Sequence, residues 1–237
     1  MTGWSKPDAI TAARSVKPEP GHEPIMTRAA SRPNPTRNQR AKAEAILEAA
    51  LGVFAAQGFR GATLDQIAEA AGLSKPNLLY YFASKEAVHR ALLDRLLDRW
   101  LAPLRAIDPE GDPGIELRGY VGRKLAMARD FPRESRLFAD EMLQGAPRLG
   151  ETLAGPLRRL VDEKAEAIRA WTAAGRIAPV DPHHLIFSIW AVTQHYADFD
   201  AQVRAVLGSD DAARFEDAAR FLDGLYARAL TPQTLNP

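Results

Sequence analysis

From Ala43 onward, apolar residues recur at intervals of three and four, and no segment alternates apolar and polar positions between turn signals. That period fits helices and leaves no strand from which a sheet could be built, so the chain reads as all-α. Ala43, Ile46, Leu47, Ala50, Leu51 and Phe54 share one face of a first helix, which Gly58 ends within the turn Gln57-Gly58-Phe59-Arg60-Gly61. Thr63-Leu64-Asp65-Gln66 has capping-box spacing, in which hydroxyl and amide each satisfy an orphan N–H, and it opens a short helix that Gly72 ends. Ser74 caps another short helix running to about Phe82, with Pro76 tolerated in its first turn. Ser84 caps a long fourth helix marked by Val88, Leu92, Leu96, Trp100 and Leu104. Beyond the breaker run Pro109, Gly111, Pro113 and Gly114, the spacing predicts helices at about 115–129, 133–144, 156–174, 182–206 and 211–230. No repeat of fixed period is present.

The same pattern divides the chain. Residues 1–35 hold six of the 17 prolines and no apolar period, so they read as a disordered basic tail in which burial cannot offset ordering entropy. Met26 is a possible alternative start. Residues 36–83 form a three-helix unit and 84–230 a larger helical body. With 46% apolar residues the 237-residue chain can fill a sizeable core. No run approaches the roughly 18 apolar residues of a membrane span, and the N-terminus carries no apolar leader, so a cytoplasmic protein is expected. The absence of Cys excludes disulfides, thiolate metal sites and a Cys nucleophile.

A formal net charge of +1 argues against a surface coated for nucleic acid. The total hides an asymmetry: residues 1–91 carry 12 Lys and Arg against 8 Asp and Glu, and residues 92–237 carry 19 against 22. A basic end on a mildly acidic body suits an anion-binding module on a carrier, and a solvated basic tail accounts for it equally.

Thr63 to Phe82 is a helix, a three-residue glycine turn and a second helix, with Ile67, Ala68 and Leu73 available to pack the two at a steep angle. In such a unit the second helix enters the major groove by its N-terminal residues, here Ser74, Lys75 and Asn77, which can bond to phosphates or base edges. Tyr80 and Tyr81 add hydroxyls, and Lys85 opens the next helix. Helical hairpins with a glycine turn are common, so the spacing alone leaves both packing and DNA binding open. Ser74 is mainly a cap, Tyr81 divides between core and phosphate roles, and Leu78 and Leu79 read as packing residues.

The wording of residues 37–91 resembles the DNA-binding domain of the TetR family of bacterial transcription repressors. The shared features are the Gln57-Gly58-Phe59 turn, Gly61-Ala62-Thr63-Leu64, Ile67-Ala68, Ala71-Gly72-Leu73-Ser74 and Tyr81-Phe82-Ala83-Ser84-Lys85-Glu86. One departure is Leu79, where many relatives carry an aromatic residue. The resemblance implies that Thr63, Tyr80, Tyr81 and Lys85 hold phosphates while Lys75 and Asn77 read bases of double-stranded operator DNA.

In the body, the segment 182–206 is the informative one. Phe187, Trp190, Ala191 and Gln194 cluster on one face, and Leu185, Ile189, Val192 and Tyr196 on the opposite face. Two apolar stripes on one helix imply burial on both sides, one within the protomer and one against a second copy. Phe215, Ala219, Leu222 and Tyr226 on the last helix can join that contact, and family members dimerise through their last two long helices. Gln194 beside Trp190 is either a core amide bonded to backbone or the reader of a flat polar ligand stacked on aromatic walls, Trp100 being a second wall. Residues 37–206 further resemble the pyrimidine-utilisation branch of the family, through Trp100-Leu101-Ala102-Pro103-Leu104, Ser135-Arg136-Leu137-Phe138, Glu141-Met142-Leu143 and Ile189-Trp190-Ala191 with Thr193-Gln194-His195-Tyr196-Ala197-Asp198-Phe199. That likeness implies a homodimer sensing uracil or thymine through Trp100, Trp190 and Gln194.

Two other classes stand beside this reading. An all-α enzyme would have to use His183, His184, His195 and Asp198, but adjacent histidines diverge by about 100° on a helix. His195 with Asp198 makes only two ligands, and the chain contains no metalloprotease, phosphate-loop or nucleophile-elbow motif. No catalytic residue, metal or cofactor is therefore expected. A TetR-type repressor of another small molecule, or an effector-free architectural DNA-binding protein, remains the alternative.

Overall fold

The computed structural model describes residues 36–208 and 210–232; the expected tail at 1–35 and Met26 lie outside the described residues. Among the described residues there is no strand, and no helix is long and apolar enough to cross a membrane.

Helix α1 (Arg37–Gly61) starts at a capping box the periodicity did not mark: Thr36 Oγ1 accepts from the Gln39 N–H at 3.3 Å and Gln39 Oε1 from the Thr36 N–H at 2.8 Å. Gly58 breaks the helical path at φ 66°, ψ 172°, a backbone state that a side chain would strain. Helix α2 (Leu64–Ala70) opens on the expected Thr63–Gln66 box, and Gly72 at φ 65° turns the chain into α3 (Lys75–Tyr81), capped by Ser74. Helix α4 (Lys85–Arg105) is capped by Ser84, whose Oγ accepts from the Ala87 N–H at 3.1 Å.

The body adds α5 (Pro113–Asp130) and α6 (Pro132–Leu143), close to the expected ranges. Two later expectations need correction. The helix expected from 156 begins earlier: α7 (Gly150–Thr152) passes through a π-helical turn, Leu153–Leu157, into α8 (Arg158–Ala173). The wide turn absorbs Pro156, which has no N–H to offer the helical ladder. The single helix expected over 182–206 breaks at Phe199 (φ −113°, ψ 31°) into α9 (Pro182–Asp198) and α10 (Asp200–Leu207). No Gly or Pro marks that break. Asp200, in the first turn of α10, meets Arg214 of α11 (Asp211–Leu230) at 2.9 Å, a tertiary contact that periodicity cannot register.

Two apolar cores result, and α4 runs through both. One joins Ile46, Leu51 and Phe54 of α1 to Ile67, Leu78, the first half of α4 (Val88 to Leu96) and Leu137 of α6. The other joins Leu104 to α5, α8, α9 and α11. Full burial of each Leu, Ile or Phe contributes roughly 1.5–3 kcal/mol, so the end of α4 nearer α3 is fixed as firmly as the helices it follows.

Candidate nucleic-acid interface and effector cavity

Leu78 at 0% and Ile67 at 0% exposure lock α3 against α2 and leave the opposite face of α3 in water. Ser74, Lys75, Asn77 and Tyr80 are exposed there, as is Thr63; Tyr81 and Lys85 are partly buried. Several of these groups already have partners. Lys75 Nζ donates to Asp65 Oδ2 at 2.9 Å, an exposed pair worth at most about 1 kcal/mol and easily exchanged for an anion. Tyr80 accepts from Gln39 Nε2 at 3.1 Å and meets the Tyr81 ring edge-on. Gln39, in the first turn of α1, therefore belongs to the same surface, although nothing in its spacing singled it out.

Lys85 occupies a different kind of position. Its Nζ donates to Phe59 O and Ala62 O, both at 2.8 Å, and lies 4.6 Å from the Phe59 ring centre. It closes the carbonyl end of α1, with one N–H left for an outside acceptor.

The body holds a cavity of about 840 Å³ between α1, α4, α5, α6, the π-turn and α9. Trp100, Trp190 and Gln194 all line it, so Trp100 of α4 comes together with the Trp190 and Gln194 pair of α9. Phe187, on the same stripe, does not line it: the ring is 48% exposed and packs tilted against Trp190 at 5.6 Å. Trp190 Nε1 donates to Tyr120 O–H at 2.6 Å, which fixes the indole as a wall. The Trp100 N–H is buried with no acceptor among the described residues. The Gln194 amide makes no hydrogen bond to a described residue either, so the core-amide alternative is not the arrangement found.

The structure adds polar groups that were not singled out for a ligand. Lys124 of α5 is 3% exposed, and burial pulls its ammonium down to about 8 against the attraction of Asp198. Asp198 is shifted upward by burial, opposed by the Ser135 hydroxyl, which donates to Oδ1 at 2.5 Å, and by Arg136, Lys124 and His195. The available signal was a lysine on the buried stripe of Leu117, Tyr120, Val121, Leu125 and Ala128. No cluster of three metal-ligating side chains occurs among the described residues.

Cavity and head share walls. Ala55 of α1 lines the cavity, as do Leu137, Phe138 and Met142 of α6. Helix α6 packs on α1, where Arg133 lies 3.5 Å from Glu48. Beyond α6, Arg148 donates to Glu141 through both its backbone N–H (2.7 Å) and its guanidinium (2.9 Å), and that guanidinium covers the Phe59 ring at 3.8 Å.

Comparison with known proteins agrees with this layout. Residues 46–92 match the family described as bacterial regulatory proteins, tetR family. Residues 93–233 match the YcdC-like protein C-terminal region. The chain is 54% identical over 169 residues to the HTH-type transcriptional regulator RutR of Escherichia coli K12, covering 71% of this chain and 80% of that protein. A TetR-family regulatory protein from Rhodococcus RHA1 superposes with TM-score 0.65 at 22% identity, covering 81% of this chain and 98% of the other. AibR, solved with isovaleryl coenzyme A and operator DNA, superposes with TM-score 0.59 at 22% identity, covering 78% of this chain and 97% of that one. These two likenesses concern the fold alone.

Proposed function

The chain belongs to the TetR family of helix-turn-helix transcriptional regulators, DNA-binding proteins rather than enzymes, and from that premise we propose that it is a cytoplasmic homodimeric repressor released from its operator by uracil or thymine. The observation that carries the proposal is the meeting of Trp100, Trp190 and Gln194 on one cavity whose walls include α1 of the DNA head. Flat aromatic walls and an uncommitted amide suit a planar heterocycle with donor and acceptor on one edge. The resemblance to pyrimidine-utilisation regulators supports the same ligand class.

On DNA, Lys75 and Asn77 read bases from the open face of α3. Ser74, Thr63, Tyr80 and Tyr81 hold phosphates, and Lys85 contributes its remaining N–H. Phe215, Leu222 and Tyr226, expected at the contact with a second copy, are buried in the protomer's own core, so exposed Phe187 on α9, with Phe221 and Leu225 on α11, supplies the apolar surface for it. A twofold pair would present two recognition helices to a near-palindromic site. Effector binding acts through α6 and α4 together, since both line the cavity and both pack on the head.

Gel shifts on DNA upstream of the chain's own gene test the proposal. Loss of the shifted band with uracil or thymine is expected, and an unchanged band at saturating pyrimidine would overturn the effector assignment. A volume of 840 Å³ lies toward the upper end of the roughly 300–1,000 Å³ of small-molecule pockets, which favours a larger ring-bearing effector as the second reading. Release by a nucleoside but not by a free base would select it.

A further inference from the structure

Two long polar side chains stand on the open face of α3, and residues outside α3 hold both. Tyr80 Oη accepts from Gln39 Nε2 at 3.1 Å. Lys75 Nζ donates to Asp65 Oδ2 at 2.9 Å, a contact that spans the glycine turn and ties the first turn of α2 to the first turn of α3. The Lys75 and Asp65 side chains are 46% and 66% exposed, so the pair lies on the outer surface of the head and not within its core.

Charge alone makes Asp65 an unexpected residue there. In a helix-turn-helix unit the first helix crosses the phosphate backbone, so a carboxylate in its first turn meets the repulsion of the duplex. The macrodipole favours an acidic residue near a helix N-terminus, which accounts for its presence but not for the direction of its side chain. Capping of α2 is complete without it, since Thr63 Oγ1 accepts from the Gln66 N–H and Gln66 Oε1 from the Thr63 N–H. Among the described residues the Asp65 carboxylate bonds to Lys75 alone. An ammonium carries three N–H donors. With one on Asp65, Lys75 keeps two, which matches the O6 and N7 acceptors that guanine shows in the major groove. A phosphate that draws Lys75 to itself has to displace Asp65 and then lie beside the freed carboxylate. Base reading keeps the pair, and backbone binding breaks it.

We propose that Asp65 is a specificity-determining residue of the DNA-reading head: it positions Lys75 for base edges and penalises the use of Lys75 on phosphates. The proposal rests on the reading of α3 as the recognition helix.

Fluorescence anisotropy of the full chain tests it on two duplexes: the sequence that wild type enriches from a random pool, and a scrambled duplex of the same composition. Asp65→Asn should tighten binding to the scrambled duplex by roughly 2- to 5-fold, the scale of an exposed ion pair. The log–log salt slope on that duplex should steepen by about one, as Lys75 gains a phosphate. Binding to the enriched duplex should change less, so the ratio of the two affinities falls by a similar factor. In a Lys75→Ala background the same substitution should leave the ratio unchanged, because no ammonium is left to position. A merely structural Asp65 would lower Tm and weaken both duplexes together on substitution. A carboxylate that only repels DNA would, on removal, strengthen both equally. Either result leaves the ratio unchanged in the wild-type background, overturns the proposal and keeps the recognition helix. A ratio that falls equally in both backgrounds also overturns it. If wild type enriches no sequence, the reading of α3 fails and the role of Asp65 with it.

Discussion

His89 provides a measurable pH signature for the joint between head and body. It lies on α4 at 2% exposure, with ring centres 4.7 Å from Phe54 and 4.8 Å from Phe59, and its Nδ1 has no partner among the described residues. Burial first, then the Arg148 charge, lowers its pKa from 6.5 to about 4, so the native state holds the ring neutral. Between those values the unfolded chain binds a proton that the folded chain refuses, and stability falls as pH drops through the window. The shift corresponds to about 3 kcal/mol, fully expressed only near or below pH 4 and absent above about pH 7. His89→Leu removes the titration and keeps an apolar group of similar size. Urea unfolding of both proteins at pH 7.5 and pH 4.5 is the assay. Carboxylate protonation is common to both, so the difference of differences isolates His89, and the variant should lose about 2–3 kcal/mol less than wild type on acidification. Equal losses in the two proteins would refute the assignment of a buried neutral imidazole.

Other outcomes follow from particular contacts. Lys75→Ala or Asn77→Ala should cost about 1–3 kcal/mol of operator binding and relax base preference, as read by anisotropy on operator variants. Lys85→Ala should lower the unfolding free energy measured by urea titration by about 1–3 kcal/mol in the absence of DNA, because Phe59 O and Ala62 O lose their donor. Lys124, whose folded pKa of about 8 lies below the free value of 10.5, makes stability rise between pH 8 and 10.5, since only the unfolded chain stays protonated there. Lys124→Met should flatten that rise in thermal melts.

Local chemistry was legible in the chain wherever a single residue decides the backbone. Thr63, Ser74 and Ser84 cap the helices they precede, and Gly58 and Gly72 take the positive φ values their turns require. The pairing of Trp190 with Gln194 was legible because they lie one turn apart on the same helix face, and Trp100 of α4 lines the same cavity. What stayed hidden depends on partners remote in sequence. The break at Phe199 lies beside the contact of Asp200 with Arg214, which no local pattern registers, and Lys85 reads as a free cation until the end of α1 is seen beside it. Lys124 looks like one more charge on a helix until its stripe turns out to face the core and the cavity. The junction of α6 with α1, which gives the cavity a second route to the head, has no local signature.

The central claim is that one ring-binding cavity and one DNA-reading head share an equilibrium. Linkage makes the test reciprocal: the factor by which uracil weakens operator binding must equal the factor by which operator weakens uracil binding. Titrating the full chain with uracil, alone and saturated with operator duplex, measures that factor directly. The account predicts uracil affinity reduced by about 5- to 150-fold on the DNA-bound protein. Identical uracil affinity with and without operator would contradict it.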